Sequence, residues 1–173
     1  MTELIKKINM LDAVQLFFKN YFNFTGRASR SEFWWFALAY LIVAAVVAIA
    51  EGLLTGFDYA GSGITSNLLT LALAIGQLSL NARRLQDRGH SGWWQLAPLV
   101  PIIPLIIFAI LAGATENPAH VIAAGLTALL FIGTYITLIV MWCLPPKEDE
   151  NKWGRNPLLP DARMTDLISD ESL

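Results

Sequence analysis

The side chains best suited to chemistry are grouped in two short basic segments, one before the first long apolar run and one in the middle of the chain. Each segment leads into a pair of tryptophans. A guanidinium group presents a planar fork of donors that matches phosphate oxygens, and a nearby carboxylate can orient it. The pattern predicts a site for anionic lipid headgroups or a partner protein, formed by Arg27, Arg30, Arg83, Arg84, Asp87, Arg88, Trp93 and Trp94.

A second interpretation of the same arginines stays open. They can anchor the topology at the inner headgroup level and pair with Asp87 and Glu32. Within the segment 81–94, which we expect to be a loop, Gly89 and Gly92 favour a tight turn and Ser91 is a candidate helix cap.

Catalytic chemistry is poorly supported. Asp87, His90 and Ser91 are triad residue types, but neighbours in one short loop do not take up triad geometry. No grouping of histidines with carboxylates predicts a metal site. Cys143 is the single cysteine, and we expect it to be a small buried hydrophobe. The sequence therefore predicts a non-enzymatic protein with no catalytic residue, metal or cofactor.

The composition sets the environment in which these residues act. Of the 173 residues, 55% are hydrophobic and 15% are charged, and the formal net charge is −2. Ordinary soluble domains have roughly 25% charged residues, so a water-soluble globule is excluded. The absence of a basic excess excludes nucleic acid as the partner. An integral membrane protein remains.

Spanning a bilayer core of about 30 Å takes about 20 mainly apolar residues. Four segments approach this length, and short connections between them predict antiparallel neighbours. The predicted fold is an all-α integral membrane protein with four transmembrane helices arranged as two antiparallel hairpins. The spans are 33–54, 64–80, 93–114 and 121–144, within a domain 33–144 that follows an amphipathic interfacial segment 1–32 and precedes a polar cytoplasmic tail 145–173.

Basic residues predict the orientation. All 12 Lys and Arg lie before the first span, between the second and third spans, or in the tail. The two other loops, around Asp58 and Glu116, contain acids and no base. Because cytoplasmic segments keep basic residues, we expect both termini in the cytoplasm.

The segments flanking the spans carry more local signals. In residues 2–21 the apolar side chains recur at helical spacing, which predicts a helix that lies in the membrane interface or packs on the helix bundle. Ser29 and Glu32 have capping-box spacing at the start of the first span. The tail is expected to be solvated, with one turn over 153–157 that can dock beside the membrane. The predicted apolar face of the first helix comprises Leu4, Ile8, Leu11, Val14, Phe18 and Tyr21.

Three prolines interrupt the third span, at Pro98, Pro101 and Pro104. Each removes a backbone donor and leaves a carbonyl four residues earlier without its usual partner. Those carbonyls can line a polar cavity with Gln77 and Gln95, or they can be satisfied locally in a kinked helix.

Three motifs carry a family resemblance: FTGRASRSEFWW at 24–35, NARRLQDRGHSGWW at 81–94 and NKWGRNP at 151–157. Together they resemble the YhaH/YhaI-like family, domain of unknown function 805, over about residues 10 to 158. Gln86 stands where that family usually has histidine, and Arg88 where it usually has an aliphatic or small residue. The resemblance implies a multi-span bacterial inner-membrane protein with cytoplasmic motifs, and it implies no activity, substrate or cofactor.

Two functions follow as hypotheses. The first is a non-enzymatic membrane component that binds anionic phospholipid or a partner protein, or a second copy of itself, through its basic, Trp-rich cytoplasmic face. The alternative is a small transporter or a pore-forming subunit that works as an oligomer. No ionisable residue lies at the middle of a predicted span, and such residues usually mark an ion pathway, which disfavours coupled transport.

Overall fold

A computed structural model describes residues 8–55, 63–115 and 117–159, and these residues are mostly helical. Helix α4 packs along α5, while α2 contacts both α1 and α3. The ends of α3 and α5 also meet. The elements are α1 (Met10–Lys19), α2 (Arg30–Thr55), α3 (Ile64–Asp87), a 3₁₀ helix (Gly92–Leu96), α4 (Leu99–Ala114), α5 (Pro118–Cys143) and the strands β1 (Glu150–Asn151) and β2 (Gly154–Arg155).

Three helical segments in the described residues are long and apolar enough to cross a membrane: Arg30–Thr55, Gly92–Ala114 and Pro118–Cys143. The segment predicted as the second span, 64–80, lies in α3, which is not among them. Helix α3 is long enough, but it includes Ser66, Asn67 and Gln77 among its apolar residues. It also continues past Leu80 to Asp87, so the first part of the predicted loop 81–94 is helical.

The N-terminal helix begins with a capping box that the sequence analysis did not identify. The Asp12 backbone N–H donates to Asn9 Oδ1 at 2.9 Å, and the Asn9 N–H donates to Asp12 Oδ2 at 3.1 Å. The box predicted at Ser29 and Glu32 forms only in part. Ser29 Oγ accepts from the Glu32 N–H at 3.1 Å, but the Glu32 carboxylate binds Arg83. An ion pair with a buried guanidinium takes the carboxylate that the cap would have used.

Helix α1 packs on the other helices through a face that matches the predicted one only in part: Ile8 is buried, and Val14 and Tyr21 pack against the core. Ala13 and Phe17 are buried, whereas Leu11 and Phe18 of the predicted face are exposed. The Phe17 ring stacks on Phe36 of α2, with centroids 3.7 Å apart. Packing on the bundle is therefore confirmed for the face that carries Phe17. Predicted positions before Ile8 lie outside the described residues.

The prolines divide the third predicted span into two parts. Pro98 precedes α4, Pro101 lies in its first turn and Pro104 lies inside it. The carbonyl of Trp94 accepts from the Ala97 N–H at 3.0 Å, and that of Ala97 accepts from the Val100 N–H at 3.2 Å. A short 3₁₀ segment thus satisfies two of the three carbonyls locally, as in the second interpretation of the prolines.

The beginning of the tail is folded. Strands β1 and β2 pair antiparallel, with Gly154 at φ +117° in the turn region. Asn151 Nδ2 donates to the Gln86 carbonyl at 2.9 Å, which attaches the hairpin to the end of α3. This part of the tail is therefore folded, with backbone carbonyls that accept hydrogen bonds from Arg27, while residues 147–150 remain exposed. The rest of the tail, 160–173, lies outside the described residues.

Candidate functional site

Four arginines gather where the N-terminal end of α2 and the C-terminal ends of α3 and α5 meet. We call this group the arginine cluster, and it contains Arg27, Arg83, Arg84 and Arg88 together with the carboxylates of Asp87 and Glu32. Helix α3 contributes six consecutive buried positions there, 82–87, because its last turns lie between the other helix ends. The 3₁₀ helix begins at the same place, where Gly92 lies so close to Ala82 that an added Cβ would be 2.7 Å from the Ala82 Cβ.

Arg84 occupies the centre of the cluster, with 0% of its side chain exposed. Its Nε donates to the Trp142 carbonyl at 2.9 Å, and its Nη2 donates to the Leu144 carbonyl. Its Nη1 forms an ion pair with Asp87. The last carbonyls of a helix lack intrahelical donors and carry partial negative charge. Arg84 therefore caps the end of α5 while it neutralises Asp87.

Arg27 connects the same carboxylate to the tail hairpin. Its Nε donates to Asp87 Oδ1 at 2.8 Å. Its Nη1 donates to the carbonyls of Asp149 and Gly154 at 3.2 and 3.1 Å, and its Nη2 donates to that of Glu148 at 3.0 Å. The hairpin is thus held by hydrogen bonds from a buried cation, which are stronger than those between neutral groups.

Arg83 pairs with the other carboxylate. Its Nη1 donates to Glu32 Oε1 at 2.8 Å, and its backbone carbonyl accepts from the Ala28 N–H at 3.2 Å. Its Nε and Nη2 are buried and have no hydrogen-bond partner in the described part of the chain.

Arg88 lies at the edge of the cluster and is half-buried. Its Nη1 donates to the Pro145 carbonyl at 2.6 Å. After it the chain turns at Gly89, with φ +81°, and Ser91 Oγ accepts from the Trp93 N–H at 3.4 Å. The predicted turn at Gly89 and the predicted cap at Ser91 are both confirmed.

The predicted site residues therefore separate into two groups. Arg27, Arg83, Arg84 and Asp87 are buried. The three arginines pair with Asp87 or Glu32, which matches the second interpretation of the arginines. The half-buried Arg88 belongs with this group, because it donates to the Pro145 carbonyl. Arg30, Trp93 and Trp94 lie on the surface. Sequence reasoning did not identify Gln86 or Asn151 as structural partners. Gln86 Nε2 donates to the Phe24 carbonyl at 2.9 Å.

Arg30 lies in a groove of about 710 Å³ at the N-terminal end of α2. The groove is lined by the two tryptophans Trp34 and Trp35, by Leu38 one turn further along α2, and by Cys143. Cys143 is exposed, which corrects the expectation that it is buried, because the last turn of α5 presents it to this groove. The spacing of Arg30 and the tryptophan pair along one helix was the signal for this groove.

His90 lies beside the cluster in a small cleft with Arg88 and Lys147. Desolvation lowers the pKa of its imidazole from the usual 6.5, and the positive charges of Lys147 and Arg88 lower it further. Both effects favour the neutral form of the His90 imidazole.

The arrangement does not resemble a hydrolytic site. Both carboxylate oxygens of Asp87 accept from arginines, and the Ser91 hydroxyl serves as a helix cap. Within residues 8–55, 63–115 and 117–159, no three His, Cys, Asp or Glu side chains are grouped so that they could hold a metal ion. The groups present can bind anions and hold backbone carbonyls.

Comparison with known proteins shows the family to which the chain belongs. A family model described as "Protein of unknown function (DUF805)" matches residues 21–155. The inner membrane protein YhaI of Escherichia coli K12 is 37% identical over 139 residues, which are 80% of this chain and 89% of YhaI. The inner membrane protein YhaH of the same strain is 33% identical over 102 residues, which are 59% of this chain and 84% of YhaH. No solved structure matches the chain.

Proposed function

The chain belongs to the DUF805 family of membrane proteins, and from that premise we propose that it is a non-enzymatic, four-span component of the bacterial inner membrane that binds anionic phospholipid on its cytoplasmic side. One observation carries the lipid-binding part: an exposed arginine and two tryptophans share a groove at the start of a membrane-length apolar helix. The proposed action needs no cofactor and no nucleic acid.

The four-span topology is supported by the direction in which the chain passes the arginine cluster. Helix α2 begins there, α3 ends there, the 3₁₀ helix and α4 begin there, and α5 ends there. Four successive crossings as two hairpins would give this alternation. Helix α3 has 24 residues, so at 1.5 Å per residue it is about 36 Å long, enough to cross. The cluster gathers the basic residues at one end, which favours cytoplasmic termini.

Lipid binding is supported by the chemistry of the groove. Arg30 is exposed, and its guanidinium can reach a headgroup phosphate. Trp34 and Trp35 are both exposed, and indole rings favour the headgroup level of a membrane. Leu38 continues the groove toward the apolar part of α2, where an acyl chain would lie. One anionic phospholipid is the occupant that fits both ends.

The buried arginines have a different part in this proposal. The donors of Arg27 and Arg84 are engaged by Asp87 and by backbone carbonyls, so these two residues hold the helix ends together. Of the predicted arginines, only Arg30 is therefore proposed to contact lipid in the groove, together with Trp34 and Trp35.

Quantitative analysis of co-purified lipid tests the proposal. The full chain is purified in a mild non-ionic detergent from native membranes, and bound phosphatidylglycerol is counted by native mass spectrometry. Arg30→Gln is expected to reduce bound phosphatidylglycerol about fivefold, since one basic residue near an anionic surface is worth about 1 kcal/mol. Arg155→Gln is the matched control, because Arg155 is also exposed but does not line the groove.

Equal lipid content in the two variants would refute lipid binding at the groove. The topology is tested separately with reporter fusions. A fusion after Leu173 is expected to report the cytoplasm, and one near Tyr59 the periplasm. A reporter after Leu173 that reads periplasm would refute four spans with cytoplasmic termini, because an odd number of crossings separates the termini.

A further inference from the structure

A polar cavity of about 180 Å³ lies next to α1 and shares no lining residue with the Arg30 groove. It is lined by residues of or next to α1, of the connection to α2, of the first turn of α2 and of the last turns of α3, together with Pro157 of the tail. The polar lining residues are Asn20, Asn23, Thr25, Arg27, Glu32 and Arg83.

Arg83 lines this cavity, and its buried guanidinium has donors that no described residue uses. The side chain is 3% exposed, and Nη1 is used by Glu32. Nε and Nη2, which have no partner in the described part of the chain, lie on the same edge of the guanidinium plane. That edge is the fork with which arginine binds two oxygens of one carboxylate or phosphate group. A buried donor without a partner is costly, so a free bidentate edge beside a cavity indicates a ligand.

The charges around the cavity favour an anion. Arg27, Arg83 and Arg84 are buried cations, whereas Asp87 and Glu32 are the buried carboxylates that pair with them. The ion pairs therefore leave one positive charge in excess. Arg27 and Arg84 give their remaining donors to backbone carbonyls, while Arg83 has donors left over. An anion at Arg83 would both complete its hydrogen bonds and neutralise the excess charge.

The size of the cavity limits the ligand. A water molecule takes about 30 Å³ of liquid volume, so the cavity holds a phosphate group with a few waters and not a whole lipid. We propose that the Nε–Nη2 edge of Arg83 binds a phosphate-type oxyanion in this cavity, supplied by free phosphate or by a lipid headgroup. The site is independent of the Arg30 groove, and either can fail without the other.

Equilibrium dialysis with labelled inorganic phosphate tests the site. The full chain is delipidated in a phosphorus-free non-ionic detergent until phosphorus analysis finds no bound lipid. Arg83→Lys keeps the charge and removes the fork, and it is expected to weaken phosphate binding about tenfold or more. Arg155→Lys makes the same exchange on the surface and is expected to leave binding unchanged.

A second pair of variants keeps the test valid if Arg83→Lys does not fold. Leu16 lines the cavity, so Leu16→Trp is expected to fill it and abolish phosphate binding. Leu11 lies on the same helix with its side chain exposed, so Leu11→Trp is expected to bind as the unmodified chain does. Far-UV circular dichroism verifies that each variant is folded.

Short-chain phosphatidylglycerol then distinguishes the two sources. If it displaces labelled phosphate, the site accepts a headgroup; if it does not, the site takes free phosphate. Both results support an oxyanion site. Absence of phosphate binding by the delipidated chain, or equal binding by the Leu16→Trp and Leu11→Trp variants, would overturn the proposal.

Discussion

Apolar side chains of the long helices and charged side chains of the arginine cluster differ in burial, and the charged ones are the more buried. In the three membrane-length apolar segments, Arg30–Thr55, Gly92–Ala114 and Pro118–Cys143, only 11%, 11% and 6% of the apolar stretch is buried inside the protein. In the arginine cluster, charged side chains are among the most completely buried groups in the described chain. Leu129 of α5 is 66% exposed, whereas Arg84 is 0% exposed.

The contrast follows from the solvent that each region meets. Lipid tails are as apolar as leucine, so nothing drives an apolar helix to hide its side chains from a membrane. A charged group gains nothing in lipid and is satisfied in a buried place only by ion pairs and hydrogen bonds. The arginine cluster therefore determines how the helix ends are arranged, and the apolar helices determine that the chain lies in a membrane.

The largest expected effect is the loss of Arg84. Arg84→Ala leaves Asp87 with one partner and the α5 carbonyls without a cap, so we expect it to lower the free energy of unfolding by about 3–5 kcal/mol. Denaturant titration in detergent micelles, followed by circular dichroism, measures this. Arg155→Ala removes an exposed guanidinium and is expected to change it by about 0.5 kcal/mol or less. Similar effects of the two variants would remove the distinction between cluster and surface.

Gly76 tests packing where α1 meets α3. A Cβ at Gly76 would be 2.4 Å from Phe17 Cζ and 2.6 Å from Tyr21 Cδ2. Gly76→Val is therefore expected to destabilise the fold by about 1–3 kcal/mol through overpacking. At Gly133 of α5 an added Cβ meets nothing within 4 Å, so Gly133→Val is the control and is expected to have little effect. A larger loss at Gly133 than at Gly76 would mean that α5 is more tightly packed than α1.

A smaller effect is expected for the tail hairpin. Asn151→Ala removes the hydrogen bond from Nδ2 to the Gln86 carbonyl and the one that Oδ1 accepts from the Trp153 N–H, each worth about 1 kcal/mol. Because Arg27 still holds the hairpin, we expect faster backbone hydrogen exchange over 148–156 with little change in global unfolding. Glu150→Ala alters an exposed side chain of the same hairpin and serves as the control. Unchanged exchange in Asn151→Ala would show that Arg27 alone is sufficient.

The smallest effect concerns His90 at the rim of the cluster. We expect NMR titration to give this imidazole a pKa below 6.5, because of desolvation and because Lys147 and Arg88 are nearby. Since the pKa is lower in the folded state, any contribution of His90 to stability is present above about pH 6.5 and declines as the pH falls. Lys147→Gln is expected to raise the pKa, whereas Lys152→Gln is the control. An unchanged pKa in Lys147→Gln would exclude Lys147 as a cause.

Sequence patterns predicted the parts of the molecule that depend on local chemistry. The predicted spans 33–54 and 121–144 correspond to α2 (Arg30–Thr55) and α5 (Pro118–Cys143). The cap at Ser91 and the pairing of the arginines with Asp87 and Glu32 were also foreseeable from residue type and spacing. These features need only neighbours in the chain or a charge of opposite sign.

The errors concern features that depend on distant partners. Glu32 was expected both as part of a cap and as a partner of an arginine, and the pairing with Arg83, far away in the sequence, leaves the cap incomplete. The buried face of α1 includes Ile8 of the predicted face but leaves Leu11 and Phe18 exposed, because Phe17 meets Phe36 of the next helix. Periodicity along the sequence predicts that an amphipathic helix forms, but the surface against which the helix packs determines which of its faces is buried.

The amino-acid sequence by itself determined that this chain is a helical membrane protein of the DUF805 family with its bases outside the apolar runs, because these follow from composition and order along the chain. Only the tertiary structure decided that three of its arginines are internal, that Arg30 remains on the surface, and that Arg83 has a free edge beside a cavity. The physical reason is that a guanidinium has the same charge in either place, and the fold determines which carbonyls and carboxylates surround it.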